Sequence, residues 1–236
     1  MKCVLTIAGS DSSGGAGVQA DLKTMTCLGV YGMSAITALT AQNTTGVRDV
    51  LEATPEFVAE QLDCIFEDIR PQAVKIGMVS SALIIRAIGA KLRQYGAENI
   101  VVDPVMVSTS GSALMQDSAL TALMEELFPL AAIITPNIPE AQRLCGFAIE
   151  GEADMLRAAE TIGKTMQGAV LVKGGHRSDS ADDLLWQNGQ AHWFRAPRVD
   201  NPNNHGSGCT LSSAIASFLA LGEELPGAVQ KAKAYI

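Results

Sequence analysis

Aromatic residues are scarce in this 236-residue chain, only 5% of the total. Its core must therefore be built from Ala, Val, Ile, Leu and Met. Positive charge is also short: 17 Lys and Arg against 25 Asp and Glu leave a net charge of −8. That balance excludes the basic stripe of a nucleic-acid groove, although a local glycine cradle can still hold a phosphate within an acidic protein. Cysteine pairing patterns are missing. The five cysteines, at 3, 27, 64, 145 and 209, form no Cys-x-x-Cys pair and no Cys/His ligand spacing. This argues against a structural zinc site or a disulfide frame and predicts a reducing, cytoplasmic setting. No basic N-terminal segment leads into an apolar stretch, and no apolar run approaches membrane-spanning length, so neither a signal peptide nor a membrane span is expected. No repeat, low-complexity tract or linker divides the chain, and one domain over 1–236 is expected, since α/β folds of this length form a single unit.

What is present is alternation. Val4–Ala8, Ala35–Leu39, Ala73–Gly77, Ile100–Val102, Ala131–Ile134 and Ala169–Val172 are short apolar runs. Continuous rather than alternating hydrophobicity predicts parallel strands buried on both faces. Between them, Thr54-Pro55-Glu56 opens a helix towards Ile69, Ser81 to Tyr95 is closed by Gly96, and Glu152 to Met166 stops near Gly168. Near the end, Asp182–Trp186 and His192–Arg195 flank Asn188-Gly189 and predict a hairpin. The fold class is therefore α/β, with a mostly parallel central sheet and helices on both faces. In such sheets ligands sit outside the carboxyl ends of the strands. The strand ends here carry Gly9–Gly17, Gln42-Asn43, Gly77-Met78, Asp103-Pro104, Thr135-Pro136-Asn137 and Lys173-Gly174-Gly175, all of which a parallel sheet would bring to one rim.

The most informative stretch is Asn203–Thr210, in which His205-Gly206-Ser207-Gly208-Cys209 precedes a run of small and apolar residues. A glycine turn opening a helix aims unpaired N–H groups and the positive helix end at one point, which suits a phosphate. A thiol held there would have its pKa lowered and could take a proton from a hydroxyl. The same residues also fit a flexible turn beside a packed cysteine. Gly9–Gly17 lacks the lysine and hydroxyl of a P-loop and instead lets backbone approach a flat ligand or shapes the turn into a helix near Val18, with Asp21 in its first turn. Gln42 could read two adjacent atoms of a heterocycle edge. Met78 offers a polarizable surface to a ring, or fills core space. Asp103 and Glu140 could organise Mg²⁺ through water. Asn137, between Pro136 and Pro139, serves a ligand or caps a helix, and Lys173 would complement phosphate charge. His205 is read as a turn or lining residue. His176 and His192 have no assigned partner.

As a set, Ala8–Asp11 through Gly14–Asp21, Thr37–Thr44, Val74–Met78, Val101–Met106, Thr135–Asn137 with Glu140-Ala141, Val172–His176 and His205–Thr210 resemble the hydroxymethylpyrimidine/phosphomethylpyrimidine kinases of the ribokinase-like superfamily. The resemblance implies a three-layer sandwich, ATP and Mg²⁺ as cofactors, and two successive phosphorylations of 4-amino-5-hydroxymethyl-2-methylpyrimidine in thiamine biosynthesis. It places Gln42 on the aminopyrimidine edge, and Gly9, Ala16, Asp21, Met78 and Val105 around the substrate. Gly206, Ser207 and Gly208 would hold the transferring phosphate, with Cys209 as base where many sugar kinases of the superfamily carry aspartate. Lys173, Asn137 and Lys233 fall on the nucleotide side, and Asp103 and Glu140 on the metal side. A homodimer is implied. Two departures stand out: Asn204 replaces the usual threonine, and the chain ends at Ile236, short of the family's usual C-terminal segment. The alternatives are a pyridoxal kinase on the same scaffold and a catalytically silent pyrimidine-binding protein.

Overall fold

The apolar runs become the middle of one sheet. The computed structural model describes residues 1–106, 115–175, 181–199, 201 and 203–236; His176 lies outside them. Among the described residues the strands are β1 (Cys3–Asp11), β2 (Tyr31–Asn43), β3 (Gly46–Glu52), β4 (Ala73–Ile76), β5 (Ile100–Val102), β6 (Ile133–Ile134), β7 (Ala169–Val172), β8 (Asp183–Gln187) and β9 (Gln190–Phe194). Their order is β3-β2-β1-β4-β5-β6-β7-β8-β9. From β2 to β7 all neighbours pair parallel. β3 joins β2, β8 joins β7 and β9 joins β8 antiparallel.

Helices α1 (Gly17–Cys27), α7 (Ser207–Ala220) and α8 (Leu225–Tyr235) cover one face. Helices α2 (Pro55–Asp68), α3 (Ala82–Tyr95), α4 (Asp117–Ala122), α5 (Ile138–Cys145) and α6 (Glu152–Gly163) cover the other. Alternation along β5 divides the two cores: Val101 packs towards α7 and α8, while Ile100 and Val102 pack towards the opposite layer. The result is the three-layer sandwich with helices on both faces.

Local rules set most boundaries. The Thr54 side chain accepts from the Phe57 N–H and Pro55 occupies the first turn of α2, a cap worth about 1 kcal/mol. Gly96 closes α3 in the left-handed region at φ 54°. Asn188 and Gly189, at φ 51° and 78°, make the tight turn between β8 and β9. Three expectations need correction. β2 is not buried on both faces; Leu39, although paired with β1 on one side and β3 on the other, is 52% exposed. β3 itself, a mostly exposed strand, had no apolar run to announce it. Finally, α1 begins at Gly17, which puts Asp21 in its second turn and removes the helix-dipole explanation for that acid.

Candidate active site

The parallel strands deliver their carboxyl ends to one rim, and α7 points its N-terminus at it. Gly206 precedes α7 at φ 81°, and a Cβ there would lie 1.8 Å from the Gly15 carbonyl oxygen. Only glycine satisfies both constraints. Gly206→Ala is expected to cost about 2–4 kcal/mol, combining backbone strain with overpacking, and to lower the melting temperature by roughly 5–15 °C; differential scanning calorimetry reads it. A second link joins these loops. His205 Nε2 lies 2.9 Å from Asp11 Oδ2, and Asp11 also accepts from the Ser13 and Ala16 N–H groups at 2.9 and 2.8 Å. Burial alone would raise the Asp11 pKa, but the His205, Ser13 and Ala16 hydrogen bonds outweigh it and hold the carboxyl below its ordinary value.

Cys209 lies in the first turn of α7, half-buried, with its sulfur beside the Gly17 backbone at the start of α1. Desolvation is the largest influence on the thiol and raises its pKa; Lys75 is the main opposing charge. The expected lowering is therefore corrected: removal from water outweighs the pull of the Lys75 charge. Beneath the thiol, Lys75 and Asp21 form an ion pair with both side chains fully buried. Lys75 Nζ donates to the two Asp21 oxygens at 2.9 and 2.8 Å. Thr6 and Ser213 hydroxyls each donate to the same carboxylate at 2.6 Å. Asp21 is thus committed to the interior.

On the other side of Cys209, Lys173 Nζ donates to Asp103 Oδ1 at 2.8 Å, and Thr135 Oγ1 donates to the same oxygen at 3.0 Å. This pair presses on the first turn of α7: a Cβ on Gly208 would lie 3.4 Å from Lys173 Nζ and 3.5 Å from Asp103 Oδ2. Burial would raise the Asp103 pKa, but the Lys173 and Lys75 charges hold it down. Asn137 and Glu140 form a capping box at the start of α5, each side chain accepting from the other's backbone N–H at 2.9 and 2.8 Å. Burial first, and Asp103 second, push Glu140 up to about 7 against the pull of Lys173. Lys233 stands one layer back. It donates to Asp183 Oδ2 and the Ala181 carbonyl at 2.6 Å, while Asp183 Oδ1 accepts from the Gly174 N–H at 2.8 Å.

The ring-reading candidates gather where β1, β2 and β4 end. A Cβ on Gly9 would lie 2.7 Å from Met78 Cε. Thr40 Oγ1 donates to Gln42 Oε1 at 3.1 Å and to the Ser10 carbonyl at 2.7 Å. The Gln42 N–H donates to Ser12 Oγ at 3.0 Å. Ala16 is the residue before α1, and Val105, half-buried, follows Asp103 with its N–H on the Asp103 carbonyl. Gln42 thus connects through Ser12 and Asp11 to His205 and on to Gly206 and Cys209. Sequence reasoning missed Lys75 and the Asp11–His205 pair. A lysine inside Ala73-Val74-Lys75-Ile76 was the available signal, since a charge is buried only when partnered.

Comparison with known proteins agrees with this geometry. Residues 11–236 match the family model for phosphomethylpyrimidine kinase. The chain is 54% identical over 234 residues to the hydroxymethylpyrimidine/phosphomethylpyrimidine kinase of Rhizobium meliloti, covering 98% of this chain and 88% of that protein. It is 52% identical to the thiamine biosynthesis bifunctional protein ThiED of Geobacter sulfurreducens, over 99% of this chain but 48% of that protein, so it spans about half of that longer relative. Among solved structures, a phosphomethylpyrimidine kinase from Clostridium difficile superposes with a TM-score of 0.90 at 49% identity, covering 100% of this chain and 98% of that one. A Staphylococcus aureus pyridoxal kinase in complex with AMP-PCP and pyridoxal superposes at 0.91 with 36% identity, covering 100% and 86%.

Proposed function

The chain belongs to the phosphomethylpyrimidine kinase family, and from that premise we propose that it phosphorylates 4-amino-5-hydroxymethyl-2-methylpyrimidine with ATP, twice, to the monophosphate and then the diphosphate. One observation carries the reading: the Lys173–Asp103 pair lies against Gly208 in the turn that also holds Cys209. In the first step the hydroxymethyl oxygen attacks the γ-phosphorus, the bond to the bridging oxygen of ADP breaks, and the hydroxyl proton passes to the Cys209 sulfur. The N–H groups of Gly206 and Gly208 receive the transferring phosphate oxygens, the Ser207 N–H joins them by exchanging its bond to the Asn204 carbonyl, and Lys173 supplies positive charge as negative charge shifts towards ADP. Gln42 reads the aminopyrimidine edge, with Met78, Gly9, Ala16 and Val105 bounding the ring. Asp21 supports this side from below, and Lys233 supports the nucleotide side by fixing the Lys173-Gly174 turn. Asn137 sets the start of α5 and with it the place of Glu140.

The residues present fit Mg²⁺. Among the described residues no group of three or more His, Cys, Asp or Glu side chains could cage an ion. Two carboxylates, Asp103 and Glu140, beside a phosphate cradle instead suit an ion that keeps most of its water. When bound, Mg²⁺ would neutralise phosphate charge. No helix among the described residues is long and apolar enough to cross a membrane, and all five cysteines are free. A cytoplasmic setting and a homodimer are part of the proposal.

The pyridoxal kinase likeness makes vitamin B6 alcohols the second reading. Incubation with ATP, Mg²⁺ and either alcohol, with products identified by mass, separates the two. The pyrimidine mono- and diphosphate are expected at a kcat/KM at least about tenfold above that for pyridoxine, a preference one pocket contact can supply. A preference for pyridoxine would overturn the assignment, and no ATP consumption with either alcohol would leave only a binding protein.

A further inference from the structure

We infer that Lys75, locked to Asp21, is a positioning residue for Cys209, holding a positive charge beside the sulfur so that it can receive the substrate's proton as a thiolate. A fully buried ion pair is weak evidence for stability, because apolar residues of the same volume would serve the core as well. Its placement points elsewhere. Gly17 and Asp21 stand four residues apart on α1, and Cys209 and Ser213 stand four apart on α7, so each pair shares one helix face. The two faces meet: the Gly17 backbone lies beside the Cys209 sulfur, and the Ser213 hydroxyl donates to Asp21 Oδ1 at 2.6 Å. Lys75 enters from β4 between them and Thr6 adds a hydrogen bond from β1. A thiol placed by one rung of this ladder thus has a fixed ammonium beside the next.

The ammonium has little freedom. Asp21 takes it on two oxygens, and a Cβ on Gly77 would lie 2.6 Å from Lys75 Nζ. The charged groups facing the thiol are Lys75 from β4, Asp21 from α1 and Asp103 from the end of β5, with Lys173 from the end of β7. Among them Lys75 is the leading influence favouring the thiolate.

The inference rests on the reading of Cys209 as proton acceptor, and its test is chosen to need no catalysis. Lys75→Met and Lys75→Gln each remove the charge that faces the thiol; the second keeps an amide donor for Asp21 and decides the matter if the first fails to fold. Alkylation of Cys209 by iodoacetamide at pH 8, followed by peptide mass, is expected to slow about tenfold in the folded variant, the change in thiolate fraction for one pH unit. In the kinase assay kcat for the first step should fall with it, while KM for the pyrimidine stays within about twofold, as for an interaction gained only in the transition state. A merely structural pair would lower the melting temperature and leave alkylation at the parent rate or faster; that result would overturn the inference. If alkylation slows but the parent protein phosphorylates no pyrimidine, the kinase reading fails while the thiol–lysine coupling stands.

Discussion

Lys173→Met is expected to lower kcat by about 10³-fold, the largest loss of any single substitution at this site. Removing one neutral donor to a developing oxyanion costs roughly 10²–10³-fold, and a charged clamp on a transferring phosphoryl group is worth about 10³–10⁵-fold. Lys173 combines both roles with a third, as the cation paired to buried Asp103 at 2.8 Å. Leaving that carboxylate without its partner would cost about 3–5 kcal/mol of stability. Lys173→Met with Asp103→Asn removes the unpaired carboxylate, and stability should return; its kcat stays low for two reasons, since Asp103 is also assigned to Mg²⁺. A pH signature goes with it. Lys173 holds down the pKa of Glu140, which burial and Asp103 have pushed up to about 7. Without the ammonium, Glu140 ionises at higher pH. The rise of kcat/KM for ATP with pH, which needs the ionised carboxylate, should therefore move to the alkaline side. Steady-state kinetics from pH 5.5 to 9 measure both; a kcat within tenfold of the parent would remove Lys173 from phosphate stabilisation.

Much of this was legible because short, mostly apolar runs bounded by turn residues read as strands buried in a parallel sheet. Ala73–Ile76, Ile100–Val102 and Ala169–Val172 sit where their hydrophobicity put them, and once the sheet is parallel the rim follows from strand direction alone. The Asn188-Gly189 turn and the Thr54 cap are local rules that need no tertiary context. What resisted reading depends on the tertiary fold. β3 earns its place by pairing with β2 at an exposed edge, where side-chain pattern carries little information. Asp21 looked like a residue of the first helical turn, because nothing in sequence says that α1 starts at Gly17 or that Lys75, 54 positions on, waits beneath it. The thiol pKa was misjudged for the same reason: a helix end can be read from Gly-Ser-Gly, but the burial that raises the thiol cannot.

Cys209→Ala is expected to reduce the first phosphorylation about 10²-fold and the second by less than about threefold. The asymmetry follows from the acceptors. An alcohol must lose a proton as it attacks, and a positioned base contributes roughly 10²–10⁴-fold to such a step. The monophosphate formed in the first step carries about −1.5 to −2 charges near neutral pH, so its attacking oxygen has no proton to give up. The thiol then has little to do beyond filling space, and positioning by the α7 turn and Lys173 accounts for the remaining rate. Sign and pH agree. A base works only when deprotonated, and burial has raised this thiol above the ordinary cysteine range. First-step kcat should therefore keep climbing with pH beyond about 8.5, where a free thiol ionises, and Cys209→Ala should flatten that limb. Each step is followed separately by supplying the alcohol or its monophosphate and resolving products by mass. Equal losses in both steps would make Cys209 a packing residue of the cradle and would return the proton to water or to the γ-phosphate itself.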